Sequence, residues 1–374
     1  MENNNTFYKF YYDWWKNIDK TLFFLIIFLF VLGLFFSLVS TSLIASDKLD
    51  TNDYFFFFKH LAYISLGICI IIFFSSISSI NLFRLSIFLF LISIIFLMLV
   101  PIIGTEVKGS KRWLNLLFLP RFQPIEILKP FTIIVLSLIL GSEKTINIYI
   151  KYFFTILIIS FISFLLIIQP DIGQTLLLLF CWAILIFISG ISLIIFLTFF
   201  GLSFFSLIYM ILFIPKFEYI QNRILSFFNP ENGSHNFQSE KAIEAIVSGG
   251  FFGKGIGEGT LKNRVPEAHT DYIISIISEE FGVIAIILLL ILFLSFIYLV
   301  FKKISFEHND IIKLILTGSI SLILMQAIIH LGVNIRLFPT TGMTLPYLSY
   351  GGSSIIGISI LSGIILNLTK RKIN

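Results

Sequence analysis

The fold is decided by stretches such as TLFFLIIFLFVLGLFFSLVSTSLI, residues 21–44, in which no charged side chain occurs. A helix needs about 20 consecutive apolar residues to span a membrane, and this run is long enough. It is also longer than the core of a signal peptide, which has about 7 to 15 apolar residues, so we interpret it as a retained anchor. The chain therefore begins with a predicted transmembrane helix.

Nine further apolar runs fall near residues 60–78, 84–103, 126–141, 152–168, 172–189, 191–214, 282–301, 311–333 and 353–369. The composition agrees with this pattern, because 57% of the residues are apolar and 13% are charged, whereas about a quarter are charged in soluble domains. With 23 Gly, 10 Pro and 2 Cys, disordered, collagen-like and disulfide-scaffold chains are excluded. We predict an all-α polytopic membrane protein with about ten transmembrane helices, forming a single domain over residues 1–374.

The distribution of basic residues predicts the orientation of these spans, since Lys and Arg concentrate in cytoplasmic segments. An even number of spans places both ends on one side, and that side carries Lys9, Lys16, Lys20, Arg84, Lys144, Lys151, Lys302, Lys303, Lys313, Lys370, Arg371 and Lys372. The tails, residues 1–20 and 370–374, are therefore predicted to be cytoplasmic. The scattered basic residues form no stripe that indicates nucleic-acid binding.

Two loops on the predicted outer side are also basic, against the usual bias. They are residues 104–125, with an interfacial segment, and a large loop at 215–281. A cationic outer surface at the lipid boundary suits an anionic ligand such as a lipid-linked pyrophosphate.

The first charged motif is GSKRWLNLLFLPRFQPIEILKP, residues 109–130. Glu126 suits the first turn of a helix, where a carboxylate complements the helix dipole. Lys129 lies three residues further on the same face, where an unpaired charge in the bilayer is costly. We predict that the two are paired and face a cavity. Lys111 and Arg112 fit two interpretations equally, as interfacial anchors or as phosphate contacts.

The second charged motif, VPEAHTDYIISIISEEFG, ends at residue 282 and contains four carboxylates, Glu267, Asp271, Glu279 and Glu280. Like charges close together raise each other's pKa, so one can serve as a general base, or several can hold a divalent cation. The alternative is a solvated acidic helix start. His269 fits three roles equally: proton carrier, donor to the substrate, or partner of a carboxylate.

Three further motifs interrupt the apolar pattern. SGGFFGKGIGEGT, residues 248–260, is no Walker A loop and fits either an exposed tight turn or a loop that lines a substrate site. FPTTGMTLPYLSYGGSS, residues 338–354, breaks a span entrance, and broken backbone at membrane depth is tolerated where it is buried or lines a cavity. Asp171, in QPDIG, suits a helix N-cap.

These strings, in this order over nearly the whole chain, resemble the SEDS family of shape, elongation, division and sporulation proteins, which includes FtsW and RodA. PEAHTD together with PTTGMTLPYLSYGGSS is more similar to the division branch, FtsW, than to the elongation branch. The resemblance implies a ten-helix peptidoglycan glycosyltransferase that polymerises lipid II at the outer face of the bacterial cytoplasmic membrane. It also implies a class B penicillin-binding transpeptidase as a partner, other divisome proteins, and a location at the septum.

The resemblance also implies site residues. Asp271 matches the family's catalytic Asp, and Glu126 and Lys129 match its Glu and Lys, whereas Ile125, His330 and Arg336 depart from its pattern. We expect substrate contacts from Lys111, Arg112, Gln123, Glu126, Lys129, Glu267, His269 and Ser349. No organic cofactor is expected, and a divalent cation, Mg²⁺ or Mn²⁺, is left open.

Three rival functions use the same features: a flippase for the lipid-linked precursor, an elongation-type polymerase, and a non-enzymatic division scaffold. A flippase needs polar groups along a route to both faces. Here the unusual charges gather on the predicted outer side, which favours the polymerase. A scaffold has no use for a buried lysine and an acidic cluster.

Overall fold

The computed structural model describes residues 9, 12–41, 54–107, 110–116, 120–142, 147–214, 217–228, 236–259 and 269–370. Its helices are α1 (Lys20–Thr41), α2 (Phe55–Ser76), α3 (Ser79–Ile103), α4 (Pro124–Leu140), α5 (Ile148–Ile168), α6 (Ile172–Ile188), α7 (Leu193–Phe213), α8 (Glu218–Phe228), α9 (Asn236–Gly249), α10 (Ile273–Phe306), α11 (Asp310–Asn334) and α12 (Gly352–Leu368). Two strands, β1 (Thr105–Val107) and β2 (Ser110–Trp113), separate α3 from α4.

The ten apolar runs all coincide with helices, namely α1 to α7 and α10 to α12. Within the described ranges, α1, α2, α3, α5, α10 and α11 are long and apolar enough to cross a membrane by length and composition. Helix α6, the first half of α7 and α12 are shorter apolar helices. Helix α4 has 17 residues and carries the charged Glu126 and Lys129. The polytopic membrane fold expected from the sequence is confirmed.

The segments on the predicted outer side contain small structured elements. The loop at 104–125 is not wholly irregular, because β1 and β2 form an antiparallel hairpin in which Glu106 faces Lys111. In the loop at 215–281, helix α9 packs on α10 and α11 by burying Ala242 and Ala245 against Tyr272 and Val333. These contacts hold the segment just before α10 against the end of α11.

The helices approach each other closely at small residues. This is typical of membrane proteins, because helices in lipid associate through close packing and not through the hydrophobic effect. Gly67 of α2 faces Ser359 of α12, and a Cβ at Gly363 would lie 2.7 Å from the Cβ of Phe74. A Cβ at Gly357 would lie 2.3 Å from the carbonyl oxygen of Glu126. Helix α12 therefore lies directly against the start of α4, beside the buried charges.

Helix α10 is bent at Gly282, whose φ of 76° and ψ of 179° are not helical. The preceding glycine-rich segment packs into this bend, because a Cβ at Gly282 would lie 2.1 Å from the carbonyl oxygen of Phe251. A left-handed φ together with this contact leaves room for glycine alone. The bend separates a short outer part, which follows Asp271, from the long apolar part of α10.

Asp19 fastens the start of α1 to the far end of α10. Its carboxylate accepts from the backbone N–H groups of Thr21 at 3.1 Å and Leu22 at 3.2 Å, and Lys303 Nζ lies 2.7 Å from Oδ2. Burial by itself would raise the pKa of Asp19, but the Lys303 ammonium and the two N–H groups together lower this pKa below its ordinary value.

We expect Asp19→Ala to destabilise the protein by about 1 kcal/mol through loss of the cap, measured as a fall in the melting temperature of the detergent-solubilised protein. Asp19→Asn, which keeps a capping oxygen, should cost less. Because the folded-state pKa is lowered, the contribution of Asp19 is present above about pH 4 and is lost as the pH falls through the lowered pKa. Equal losses from both variants would contradict a role as cap.

Candidate functional site

A buried ion pair lies at the predicted outer end of α4. Lys129 Nζ is 2.8 Å from Glu126 Oε2, and the two side chains are 2% and 7% exposed. Gln174 Nε2 donates to Glu126 Oε1 at 2.6 Å, and Lys129 donates to Gln326 Oε1 at 3.2 Å. The pairing predicted from the spacing of these residues is confirmed. Hydrogen bonds from two other helices help to offset the cost of burying the two charges.

Gln326 connects this ion pair to the broken segment between α11 and α12. Its Nε2 donates to the carbonyl oxygen of Thr344 at 3.0 Å, while its Oε1 faces Lys129. Thr344 Oγ1 in turn lies 2.6 Å from Ser354 Oγ. The segment at 338–351 is therefore held by the same side chains that neutralise the buried charges.

A second ion pair lies at the start of α6. Asp171 caps α6 through the Gln174 backbone N–H, receives a hydrogen bond from Gln123 Nε2 at 2.9 Å, and lies 3.7 Å from Arg112. Arg112 also donates to the carbonyl oxygens of Gln169, at 3.3 Å, and Pro170. The interpretation of Asp171 as an N-cap is confirmed, but its partners Arg112 and Gln123 could not be found from sequence spacing.

The two basic residues of β2 have different environments. Arg112 faces the turn before α6, whereas Lys111 is exposed on β2. Successive side chains of a strand point to opposite faces, so Lys111 and Arg112 lie on opposite faces of the hairpin. Gln123 is further held through its backbone N–H, which donates to Ser353 Oγ at 2.9 Å.

Asp271 lies where the segment before α10 meets the broken segment. A Cβ added at Gly342 would lie 3.5 Å from Asp271 Oδ2, and the side chain of Asp271 is partly exposed. Its carbonyl oxygen accepts from Asn334 Nδ2 at 3.1 Å, and Asn334 Oδ1 accepts from Ser275 at 2.8 Å. The position of Asp271 is thus set by α11, while its carboxylate faces residues 338–351.

Ser349 and His269 occupy the junction between the same two segments. Ser349 Oγ donates to the carbonyl oxygen of Thr270 at 2.7 Å and accepts from the backbone N–H of Leu345 at 2.8 Å. The ring of His269 packs against Phe56 and Tyr350, with centroids 5.4 and 5.7 Å away, and these two rings also contact each other. Ser349 therefore positions Thr270, the residue that precedes Asp271 in the chain.

Tyr350 adds to this junction. Its backbone N–H donates to the carbonyl oxygen of His269 at 3.1 Å. Burial, with a smaller contribution from Tyr63, raises the pKa of Tyr350 to about 12. The phenol therefore stays protonated at neutral pH and can donate a hydrogen bond, but cannot act as a base there.

Three buried polar atoms in this region have no hydrogen-bond partner in the part of the chain that the structure describes: Gln174 Oε1, His330 Nε2 and Thr341 Oγ1. Gly173 at the start of α6 approaches Thr341 and Met343, and His330 Nδ1 lies 2.7 Å from the carbonyl oxygen of Met343. Buried polar groups are normally satisfied by protein, water or a ligand. Atoms of this kind from α6, α11 and the broken segment therefore lie close to one another here.

The acidic pair Glu279 and Glu280 binds the glycine-rich segment. Both are buried; Lys254 Nζ lies 3.4 Å from Glu279 Oε1, and the backbone N–H of Gly257 donates to Glu280 Oε2 at 2.8 Å. They hold the glycine-rich segment at the bend of α10, which does not support the idea that this pair supplies a base. Glu267 lies outside the described residues.

The described ranges contain no group of three or more His, Cys, Asp or Glu side chains placed to hold a metal ion. Glu279 and Glu280, which the sequence offered as cation ligands, face Lys254 and a backbone N–H. The divalent cation that the sequence left open stays a prediction, and no chemical step is assigned to one.

We expect Gln326→Leu to destabilise the protein by about 1–3 kcal/mol, because it leaves Lys129 without one of its acceptors. The rate of the catalysed reaction should fall as well, since residues 338–351 lose a support. Both can be measured on one purified sample by thermal unfolding and an activity assay. Gln238→Leu on α9 is the matched control, and equal effects of the two substitutions would argue against the connecting role.

The sequence of this chain matches a protein-family model and is similar to named relatives. The family model described as "Cell cycle protein", for FtsW, RodA and SpoVE, matches residues 20–374. The chain is 33% identical over 354 residues to the probable peptidoglycan glycosyltransferase FtsW of Coxiella burnetii, covering 91% of this chain and 93% of that protein. It is 34% identical over 350 residues to the protein of the same name from Buchnera aphidicola subsp. Acyrthosiphon pisum, covering 91% and 86%.

A solved structure gives the same result at the level of the fold. The chain is similar to a chain from a structure described as "Structural coordination of polymerization and crosslinking by a peptidoglycan synthase complex". The TM-score is 0.75 at 25% identity, and the match covers 94% of this chain and 97% of that chain.

Proposed function

This chain belongs to the FtsW/RodA/SpoVE family of cell cycle proteins, and from that membership we propose that it polymerises lipid II into glycan strands. The family resemblance read from the motifs is confirmed, and the named relatives support a peptidoglycan glycosyltransferase of the FtsW branch. A single structural observation carries the proposal for the site. The carboxylate of Asp271 faces residues 338–351 on the predicted outer side, close to the buried polar side chains of Gln174 on α6 and His330 on α11.

The reaction converts an α-linked sugar pyrophosphate into a β linkage, which a single inverting displacement achieves. The acceptor hydroxyl oxygen attacks the anomeric carbon, and the lipid pyrophosphate leaves with the electrons of the broken C–O bond. The proton of the hydroxyl passes to a general base, for which we propose Asp271. Asp271 is partly exposed and its carboxylate lies beside Gly342, which supports this role.

The departing pyrophosphate needs positive charge close by. Arg112 and Lys129 each lie beside a carboxylate, and we propose that they supply this charge. Arg112 is 18% exposed and has five N–H donors, more than its contacts here use. Lys111 points to the other face of the hairpin, which favours contact with lipid headgroups.

Among the remaining residues expected to contact the substrate, two position the site and one contacts the substrate directly. Gln123 is turned towards Asp171 and Ser349 bridges two segments, so both position the site. His269 precedes Asp271 by two residues, and we propose that it contacts the substrate directly. A divalent cation would need ligands from the substrate or from residues beyond the described ranges.

We also propose the location and partners of the protein. Both termini face the cytoplasm of a bacterium, the protein lies in the cytoplasmic membrane at the division septum, and a class B penicillin-binding transpeptidase binds it together with other divisome proteins. The FtsW relatives and the similarity to a chain of a peptidoglycan synthase complex support this assignment. The proposed substrates are lipid II and the growing lipid-linked glycan.

The decisive experiment is polymerisation of labelled lipid II by the purified protein and its transpeptidase, with the products separated by gel electrophoresis. We expect glycan strands. A flippase would instead move labelled lipid II across liposomes without making polymer, and a scaffold would do neither. Movement without polymer would overturn the proposal.

Depletion in cells separates the division role from the elongation role. Loss of a septal polymerase should give filaments, because growth continues while the septum fails to form. Microscopy after depletion measures this directly. Rounded cells would instead assign the protein to elongation.

A further inference from the structure

The glycine-rich loop carries apolar side chains that the proposed reaction does not use. Phe251, Phe252 and Ile256 of the loop are 73%, 83% and 65% exposed, and Val247 near the end of α9 is 73% exposed; we call these four side chains the loop patch. Grouped exposed apolar side chains mark a surface that binds something apolar. The question is which partner lies opposite the loop patch.

The depth of the loop patch follows from its hydrogen bonds to α10. The backbone N–H of Val283 donates to the carbonyl oxygen of Gly250 at 3.0 Å, and that of Ile284 to the carbonyl oxygen of Phe251 at 3.4 Å. About twenty residues separate Gly282 from Lys302, which is roughly 30 Å of helix and matches the hydrocarbon thickness of a bilayer. With Lys302 at one boundary, the loop patch lies at the other, which is the predicted outer one.

Backbone hydrogen bonds to α10 hold the glycine-rich loop in place. The backbone N–H groups of Lys254 and Gly255 donate to the carbonyl oxygens of Glu279 and Glu280 at 2.9 and 3.0 Å. A Cβ at Gly253, where φ is 79°, would lie 2.1 Å from the carbonyl oxygen of Glu280, so the loop backbone lies directly on α10. A loop held along its length presents Phe251 and Phe252 in a fixed direction.

The surface of α10 next to the loop identifies the partner. From Ile284 to Leu294, the exposed side chains of α10 are apolar and include Ile287, Leu288 and Ile291, as expected of a face in contact with lipid. The loop patch is joined to the first turn of this face. Lys254 and Glu258 alternate with the patch, and charged groups among aromatic ones suit the headgroup region better than the bilayer centre.

We infer that the loop patch inserts into the outer leaflet of the membrane and binds phospholipid there. The glycine-rich segment is then neither a mere turn nor a substrate-lining loop, but an interfacial anchor. The same loop binds Glu279 and Glu280 in the outer part of α10, which follows Asp271. The anchor therefore fixes the distance of Asp271 from the bilayer. This inference is independent of the reaction proposed above.

The test uses a fluorescent label at Phe252→Cys, in full-length protein that also carries Cys69→Ser and Cys181→Ala, reconstituted into phosphatidylethanolamine–phosphatidylglycerol vesicles. Glu244→Cys on the exposed side of α9 is the matched control. We expect phospholipid with a spin label near the headgroup to quench the label at 252 roughly threefold more strongly than the label at 244. Aqueous iodide should show the opposite order.

Equal quenching at both positions would overturn the inference. A label at 252 that becomes shielded only after purified transpeptidase is added would also overturn it, and would assign the loop patch to a protein partner. If Phe252→Cys does not yield folded protein, Ile256→Cys in the same background answers the same question.

Discussion

Replacing Asp271 with Asn is expected to lower the rate of lipid II polymerisation by about 10²–10⁴-fold, the range that a general base contributes. The amide keeps the size of the side chain but cannot take the proton of the acceptor hydroxyl. The backbone contacts of Asp271 with Asn334 are unaffected, so the variant should fold and bind its partner as the wild type does. Strand synthesis by the purified complex, compared at equal protein concentration, measures the effect.

Asp310→Asn is the matched control for this experiment. Asp310 is an exposed carboxylate in the first turn of α11, at the predicted cytoplasmic end. Its replacement should leave polymerisation unchanged. If the Asp271→Asn complex is folded and polymerises at the wild-type rate, Asp271 is not the base.

The second large effect is expected for Lys129→Met, which leaves the Glu126 carboxylate buried without its cation. Removing one partner of a buried pair costs about 3–5 kcal/mol, because the remaining charge has no compensation. Gln174 would still donate to Glu126, but Gln326 would lose the donor that it faces. Thermal unfolding in detergent should show a large fall in melting temperature, and polymerisation should be nearly lost.

Lys241 and Glu244 of α9 offer an internal control with the same spacing. Their side chains are 2.6 Å apart but 21% and 49% exposed. Lys241→Met should cost less than about 1 kcal/mol, because exposed ion pairs contribute little. A similar loss at both lysines would contradict the view that burial makes the difference.

A double-mutant cycle separates the pair itself from the loss of either charge. Glu126→Gln with Lys129→Met should destabilise the protein far less than the sum of the single changes, because the double variant buries no isolated charge. Effects on the free energy of unfolding that are near additive would show that the two residues act independently.

Much of this protein could be predicted from short-range patterns. A run of about 20 apolar residues is a helix in a membrane because lipid offers no partner to backbone polar groups. The i, i+3 spacing of Glu126 and Lys129 placed them on one helical face, and their pairing follows because an isolated charge there is too costly. Asp171 as a cap is likewise a local property of the turn before α6.

The partners of these residues could not be predicted in this way. Gln174 and Gln326, which complete the hydrogen bonds of the buried pair, lie 48 and 197 residues from their partners. Glu279 and Glu280 resemble a functional acidic cluster in sequence, yet each is satisfied by the glycine-rich segment more than 20 residues earlier. A polar residue inside an apolar run indicates that a partner exists, but not which one.

By itself, the sequence determined that this chain crosses a membrane many times, where its charges are scarce, and to which family it belongs. Those properties depend on residues that are close together in the chain. Helix geometry fixes the relative positions of such residues, so the positions can be read from the sequence. The tertiary structure decided that Asp271 faces Gly342, that Arg112 faces Asp171, and that Lys129 and Thr344 share Gln326. Such contacts depend on how helices distant in sequence pack, and close packing selects among many arrangements that the same apolar patterns allow.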